Sequence, residues 1–276
     1  MIEIKNLTYR YPGAKHPVFE DFSLTLEGNR IYGLLGKNGT GKSTLLYLIS
    51  GLLRPTAGEV LLGGRRSFDR TPEMLEDLFL VPEEYDLPAM GLREYVKVNR
   101  MFYPRFSEEI LTNCLRDFEI APDVDLKALS MGQKKKVYMS FALATGTRLI
   151  LMDEPTNGLD IPSKSLFRKV VARYMTEDRT MIISTHQVHD IESLLDHIVI
   201  IDQSEVLLNS SVSDLTARYA FRAISEQEAE GPDVVYTEPS IMGLAAILRR
   251  QPGEEETQVN LELLFDAITK SKKVKK

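Results

Sequence analysis

Apolar and polar positions alternate over the first thirty residues. Ile2 and Ile4 stand against Glu3 and Lys5, then Phe22, Leu24 and Leu26 against Ser23, Thr25 and Glu27. This period of two predicts antiparallel strands, with Tyr11, Pro12 and Gly13 as the turn between them. The rhythm then changes. Residues 31–35 form an unbroken apolar run, and a helical pattern follows a glycine-rich stretch at 44–49. A turn at 55–58 leads to a short strand at 59–62 that stops at Gly63 and Gly64; another apolar strand at 78–81 stops at Pro82.

Between residues 84 and 145 the spacing is mostly helical. One candidate covers 92–101. A second starts after Ser107 as its cap, with Glu108 and Glu109 in the first turn and Ile110, Leu111, Cys114, Leu115 and Phe118 on one face. A third begins near Met131 and carries Val137, Phe141 and Ala144. Strand and helix then alternate: strand 149–152, helix 163–175, strand 181–184, a helix near 188–195 and strand 198–201. That order predicts an α/β fold with a mainly parallel sheet and helices on both faces. An N-terminal antiparallel β subdomain and a helical insert subdomain complete it. From about residue 210 the chain turns acidic and rich in turns, and its last predicted helix has Asn260 as cap. Leu261, Leu264, Phe265 and Ile268 share one face of that helix, and Val259 and Leu264 have the spacing of a hydrophobic staple. The expected organisation is a main domain at 1–209 and a small accessory unit at 210–276, docked on the main domain or on a second copy.

Composition narrows the class. With 43% hydrophobic and 27% charged residues, the 276-residue chain is globular in character. A formal net charge of -6 argues against general affinity for nucleic acid. The single cysteine, Cys114, permits no intrachain disulfide, and its place on an apolar helical face assigns it to packing. No apolar stretch approaches the ~20 residues that span a bilayer, and the start of the chain lacks the pattern of a signal peptide. A cytoplasmic protein is expected, and any work on a membrane needs a second, membrane-spanning chain.

The chemistry concentrates in Gly36, Lys37, Asn38, Gly39, Thr40, Gly41, Lys42, Ser43 and Thr44. This run fits the phosphate-binding pattern G-x-x-x-x-G-K-[ST] between a strand and a helix. Its glycines let successive N–H groups converge on one anion, and the helix start adds its positive end. Lys42 would reach the β- and γ-phosphates and the Ser43 hydroxyl would ligate Mg²⁺. Further on, the apolar run 149–152 ends in Asp153 and Glu154. A carboxylate held rigidly at the sheet's carboxyl end can reach the same Mg²⁺, and Glu154 could orient or deprotonate an attacking water.

Leu129, Ser130, Met131, Gly132 and Gln133 supply a third element, followed by Lys134, Lys135 and Lys136. With this segment the chain resembles the nucleotide-binding domain of ATP-binding cassette (ABC) transporters, whose signature reads Leu-Ser-Gly-Gly-Gln; the one departure is Met131. The resemblance covers roughly residues 2–205. It implies a P-loop ATPase core that hydrolyses ATP and a dimer in which Ser130, Gly132 and Gln133 contact the nucleotide of the opposite subunit. It also implies adenine stacking by Tyr11 and an interface-crossing loop at Asn157, Gly158, Leu159 and Asp160. His186 matches the switch histidine that senses the γ-phosphate; His16, His189 and His197 have no such match. Where the family has glutamine this chain has Glu83, carried over as a metal-side residue.

The implied partners are a second nucleotide-binding subunit and a separately encoded membrane permease, with export as the expected direction and the inner face of the membrane as the location. A cassette ATPase outside transport, or a nucleotide-switched regulator, is the alternative. The three lysines after Gln133 read as a solvated helix face. The lysine-rich tail from Lys270 reads as a solvated end or, alternatively, a contact with anionic lipid.

Overall fold

The computed structural model describes residues 1–241 and 243–270, so the lysine-rich end at 271–276 lies outside the described residues. The first half of the chain holds β1 (Ile2–Tyr9), β2 (Phe19–Leu26), β3 (Ile31–Leu35), α1 (Lys42–Ile49), β4 (Ala57–Leu62), β5 (Arg65–Arg66), α2 (Pro72–Leu75) and β6 (Leu78–Val81). The helices α3 (Leu92–Asn99), α4 (Glu108–Asp117) and α5 (Met131–Ala144) follow. Next come β7 (Leu149–Asp153), α6 (Ile161–Tyr174), β8 (Thr180–Thr185), β9 (His197–Asp202) and β10 (Glu205–Ser211). The chain continues through α7 (Val212–Arg218), β11 (Tyr219–Ile224), β12 (Val234–Ser240), β13 (Gly243–Arg249) and α8 (Leu261–Lys270).

The expected α/β architecture is present. A six-stranded sheet has the order β10-β9-β3-β8-β7-β6, parallel except for the antiparallel edge strand β10. A four-stranded antiparallel sheet, β2-β1-β4-β5, forms the N-terminal layer. Pro12 and Gly13 turn the chain toward β2, with Gly13 at φ 79° and Ala14 N bonded to Tyr11 O at 3.0 Å. Between Lys5 and Thr8 the ladder slips, and β4 begins at Ala57, earlier than its apolar pattern indicates.

Side chains of the parallel strands alternate between two cores, as the pleat demands. Tyr32, Leu34, Leu151, Ile182, Val199 and Ile201 pack with α1 and the antiparallel layer. Ile31, Leu35, Ile150, Met152, Met181, Ile183, Ile198 and Ile200 face the helical insert, α6 and the C-terminal elements. The Ser107 cap accepts from Ile110 N at 3.2 Å, and Leu111, Cys114, Leu115 and Phe118 are buried as expected.

Residues 188–195 depart from expectation. They form two 3-10 turns, Val188–Asp190 and Glu192–Leu194, in place of one helix. The segment must return along the six-residue strand β8 before β9 begins. Eight α-helical residues rise only ~12 Å, against ~20 Å for six residues of strand, so the looser rise of ~2 Å per residue suits this connection.

The C-terminal elements build a three-stranded antiparallel sheet, β11-β13-β12. The helix α8 docks on its own chain: Leu261, Leu263, Leu264, Ala267 and Ile268 join the same core as Ile191 and Leu194. Asn260 Oδ1 accepts from Leu263 N at 2.9 Å, which makes it the expected cap.

Candidate functional site

The phosphate loop connects β3 to α1, and Gly36 and Gly41 sit where side chains have no room. A Cβ on Gly36 would lie 2.7 Å from Ile201 O; one on Gly41, at φ 99°, would lie 2.7 Å from both Phe19 and Val18. The loop is thus braced by β9 on one side and by the antiparallel layer on the other. Lys42 curls back inside it, with Nζ donating to Gly36 O at 2.8 Å and Lys37 O at 3.3 Å. Thr40 Oγ1 donates to Lys37 O at 2.9 Å. Asn38 and Gly39 form the loop's exposed tip. Burial pulls the Lys42 ammonium below its ordinary value, while the carboxylates of Glu154, Asp153 and Glu83 act in the opposite direction.

Asp153 ends β7 beside this loop and is fully buried. Burial raises its carboxyl above the usual range; the hydroxyls of Ser184 and Ser43 oppose that shift, and Glu83 and Glu154 add to it. Ser184 Oγ donates a short hydrogen bond to Asp153 Oδ1. Glu154 follows in the left-handed region, at φ 45°. That conformation is costly for a residue with a Cβ. Glu154 N donates to Ser184 O at 3.0 Å. The side chain is held by Thr185 Oγ1 at 3.1 Å and by His186, whose backbone N donates at 3.3 Å and whose Nδ1 donates to Oε1 at 2.8 Å. Adjacent strands β7 and β8 therefore bring Glu154 and His186 together.

Glu83, just past β6, accepts from Asn157 Nδ2 at 2.9 Å. Tyr11 stands at the rim with its ring partly exposed, its hydroxyl 3.1 Å from Thr44 Oγ1 and its edge against Tyr9. Asp160 caps α6, accepting from Ser163 N at 2.8 Å, and those bonds from Ser163 hold its carboxyl below the usual range.

The start of α5 is a capping box: Gln133 N donates to Ser130 Oγ at 3.3 Å and Ser130 N to Gln133 Oε1 at 3.0 Å. Among the described residues no hydrogen bond ties Ser130, Gly132 or Gln133 to the phosphate loop. In this first turn Gln133 N and Lys134 N are already paired, which leaves the N–H groups of Met131 and Gly132 as donors that an anion could take up. Met131 is 60% exposed, so methionine in place of glycine needs no internal space there.

Oxygen donors Ser43, Asp153 and Glu83 suit a hard cation. Among the described residues no three or more His, Cys, Asp or Glu converge as a metal centre. Such a sparse set fits Mg²⁺, which keeps most of its shell for water and substrate phosphates.

One expectation is overturned. The lysine triplet is not wholly a solvated face: Lys134 and Lys136 are half-buried, but Lys135 is buried, and its Nζ donates to Glu154 O at 3.2 Å and Asn157 O at 2.7 Å. The available signal was its helical spacing with Met139 and Ala142, both buried in the core. The hydroxyls of Ser184 and Thr185 were also missed, since the residues they hold lie 31 positions away.

A sequence profile described as ABC transporter matches residues 19–157. The chain is 30% identical over 230 residues to the putative ABC transporter ATP-binding protein tll2439 of Thermosynechococcus vestitus, covering 79% of this chain and 81% of that one. It is 28% identical over 223 residues to the ABC transporter ATP-binding protein YtrB of Bacillus subtilis, covering 79% and 75%. Other relatives are a Nod factor export ATP-binding protein of Cupriavidus metallidurans and a methionine import ATP-binding protein of Carboxydothermus hydrogenoformans. Among solved structures, the ATP-binding subunit of an ABC transporter superposes with a TM-score of 0.70 at 26% identity, covering 78% of this chain and 91% of that one. The dimeric cassette MJ0796 superposes at 0.67 and 25%, covering 76% and 98%.

Proposed function

Because the chain belongs to the ABC transporter family, as an ATP-binding subunit that hydrolyses ATP, we propose that two copies work as a head-to-tail pair. Each nucleotide lies between the phosphate loop of one chain and the start of α5 of the other. The reading is carried by one observation: the Glu154 carboxylate, held by Thr185 and by His186 at 2.8 Å, stands beside the phosphate loop that contains Lys42.

In this mechanism Gly36 to Thr44 cradle the phosphates and Lys42 turns its ammonium onto the β- and γ-phosphates. Tyr11 packs on the adenine. Glu154 takes the proton of the attacking water, and His186 holds that carboxylate in place at the γ-phosphate. A magnesium ion held by Ser43, Asp153 and Glu83 would neutralise charge on the phosphate oxygens. Across the interface, Ser130, Gly132 and Gln133 supply donors to the γ-phosphate, and Asp160 lies on the loop that crosses between the chains. Hydrolysis removes the charge that joins the two halves, and the pair reopens.

No helix of the described residues is long and apolar enough to cross a membrane. The proposed partner is a separate permease, and the exposed apolar side chains Val98, Met101 and Phe102 on the helical insert are the surface offered to it. That pairing would hold the protein at the inner face of the membrane. Export is the proposed direction, because the segment that starts at Val259 and continues into α8 resembles the C-terminal extension of drug- and lipid-exporting members of the family.

Glu154→Gln tests the core of this reading. Turnover should fall at least about 100-fold, while ATP should convert the variant from monomer to a stable dimer on size-exclusion chromatography. Full activity in an ATP-bound monomer, with a rate per chain independent of dilution, would reject the shared site.

A further inference from the structure

The first two turns of α5 carry two different kinds of group. Ser130 and Gln133 are exposed at its start. Lys135, on the inward face, is 6% exposed. A buried ammonium persists only where acceptors and opposite charges are built around it. Both are present. Nζ donates to Glu154 O at 3.2 Å and to Asn157 O at 2.7 Å, and the carboxylates of Glu83, Glu154, Asp153 and Glu84 favour its charged form against burial. Asn157 extends the link by donating its side-chain amide to Glu83 Oε1 at 2.9 Å. Three segments thus meet at one point: α5, the loop after β7, and the chain just past β6 that leads into the helical insert.

We propose that Lys135 is a positioning residue that couples the two nucleotide sites of the dimer within a single chain. The start of α5 faces the partner's nucleotide, and Lys135 ties the same helix to the backbone of Glu154 in the chain's own site. A shift of α5 on engaging the partner therefore moves Glu154 and Asn157 together. Lys135 touches no reacting atom; it acts through the carbonyls that it holds. The proposal rests on the roles given above to Ser130 and Glu154.

The test uses the full chain with Lys135→Met, Lys135→Gln and Lys135→Arg. Three quantities are read: MgATP affinity by direct titration, kcat against KM, and amide hydrogen exchange at residues 154–160 without nucleotide. In Lys135→Met, affinity should stay within about two-fold, because the phosphate loop is untouched. Its kcat should fall about ten- to hundred-fold, the scale of a misplaced catalytic group, and exchange at 154–160 should rise. Lys135→Arg keeps donors for both carbonyls and should return kcat to within about three-fold. Should the methionine variant fail to fold, Lys135→Gln carries the test with the same expectations. A lowered melting temperature with kcat per folded chain and local exchange both unchanged would overturn the proposal. Full turnover by Glu154→Gln would instead remove the base assignment, leaving the exchange result to judge the joint.

Discussion

At the scale of single residues, burial decides what each reactive group can do. Cys114 is fully buried on α4, and burial, aided by the nearby Asp117 carboxylate, pushes its thiol up to about 12. A folded-state value above the unfolded one means that the stability it carries is complete below about pH 8.5 and is lost only as pH rises toward that folded value. The thiolate needed for alkylation is therefore scarce in the native protein. At pH 8.5 an alkylating reagent followed by mass spectrometry should leave native Cys114 unlabelled and modify it fully in urea. Labelling of the native chain at the rate of a free thiol would show that α4 opens on its own. The packing role of Cys114 was legible because Leu111, Leu115 and Phe118 share its face. The inward turn of Lys135 was legible only in its helical spacing with Met139 and Ala142. What it binds was not, because its acceptors are main-chain carbonyls 19 and 22 positions away. The link from Asn157 to Glu83 spans 74 positions and leaves no mark on either local pattern.

At the scale of elements, the strands and helices that announce themselves are those whose own side chains supply the reason. The apolar runs of β3 and β7 and the caps Ser107 and Asn260 are visible in the sequence because their determinants lie within a few residues. The connection after β8 is different. Apolar spacing at Val188, Ile191 and Leu194 suits an α-helix and a 3-10 turn alike, and the length of the neighbouring strand makes the choice. The three C-terminal strands were hidden by charge, since Arg222 and Glu238 sit on them and the intervening loop is acidic. The helix α8 is legible and also consequential: its Leu264 is fully buried in the core that holds Ile191 and Leu194, just past His186. Leu261 N also donates to Glu192 Oε1 at 2.8 Å. Leu264→Ala should cost roughly 2–5 kcal/mol. Denaturant titration should show an earlier midpoint with an unchanged slope. An unchanged midpoint would mean that α8 contributes nothing to the stability of the cassette.

At the scale of the molecule, the proposed boundary at 209/210 falls within β10, the antiparallel edge of the main sheet. Phe221, Ile247, Val259 and the α8 leucines pack into the same core as the parallel sheet. Deleting residues 212–276 would wet that shared face, including the partly buried Leu207 and Leu208. Such a shortened chain should express as aggregate. A monodisperse product with the melting temperature of the full chain would show that the C-terminal segment is dispensable for folding. The division of the parallel sheet into two cores reaches further. Alternate side chains of the same strands serve different layers: one contains α1 and the antiparallel sheet, the other the insert and the C-terminal elements. Substitutions on opposite faces share few neighbours and should have nearly additive effects. The helical insert can then be repacked without disturbing the layer that carries α1, so the two faces of one sheet are free to change at different rates.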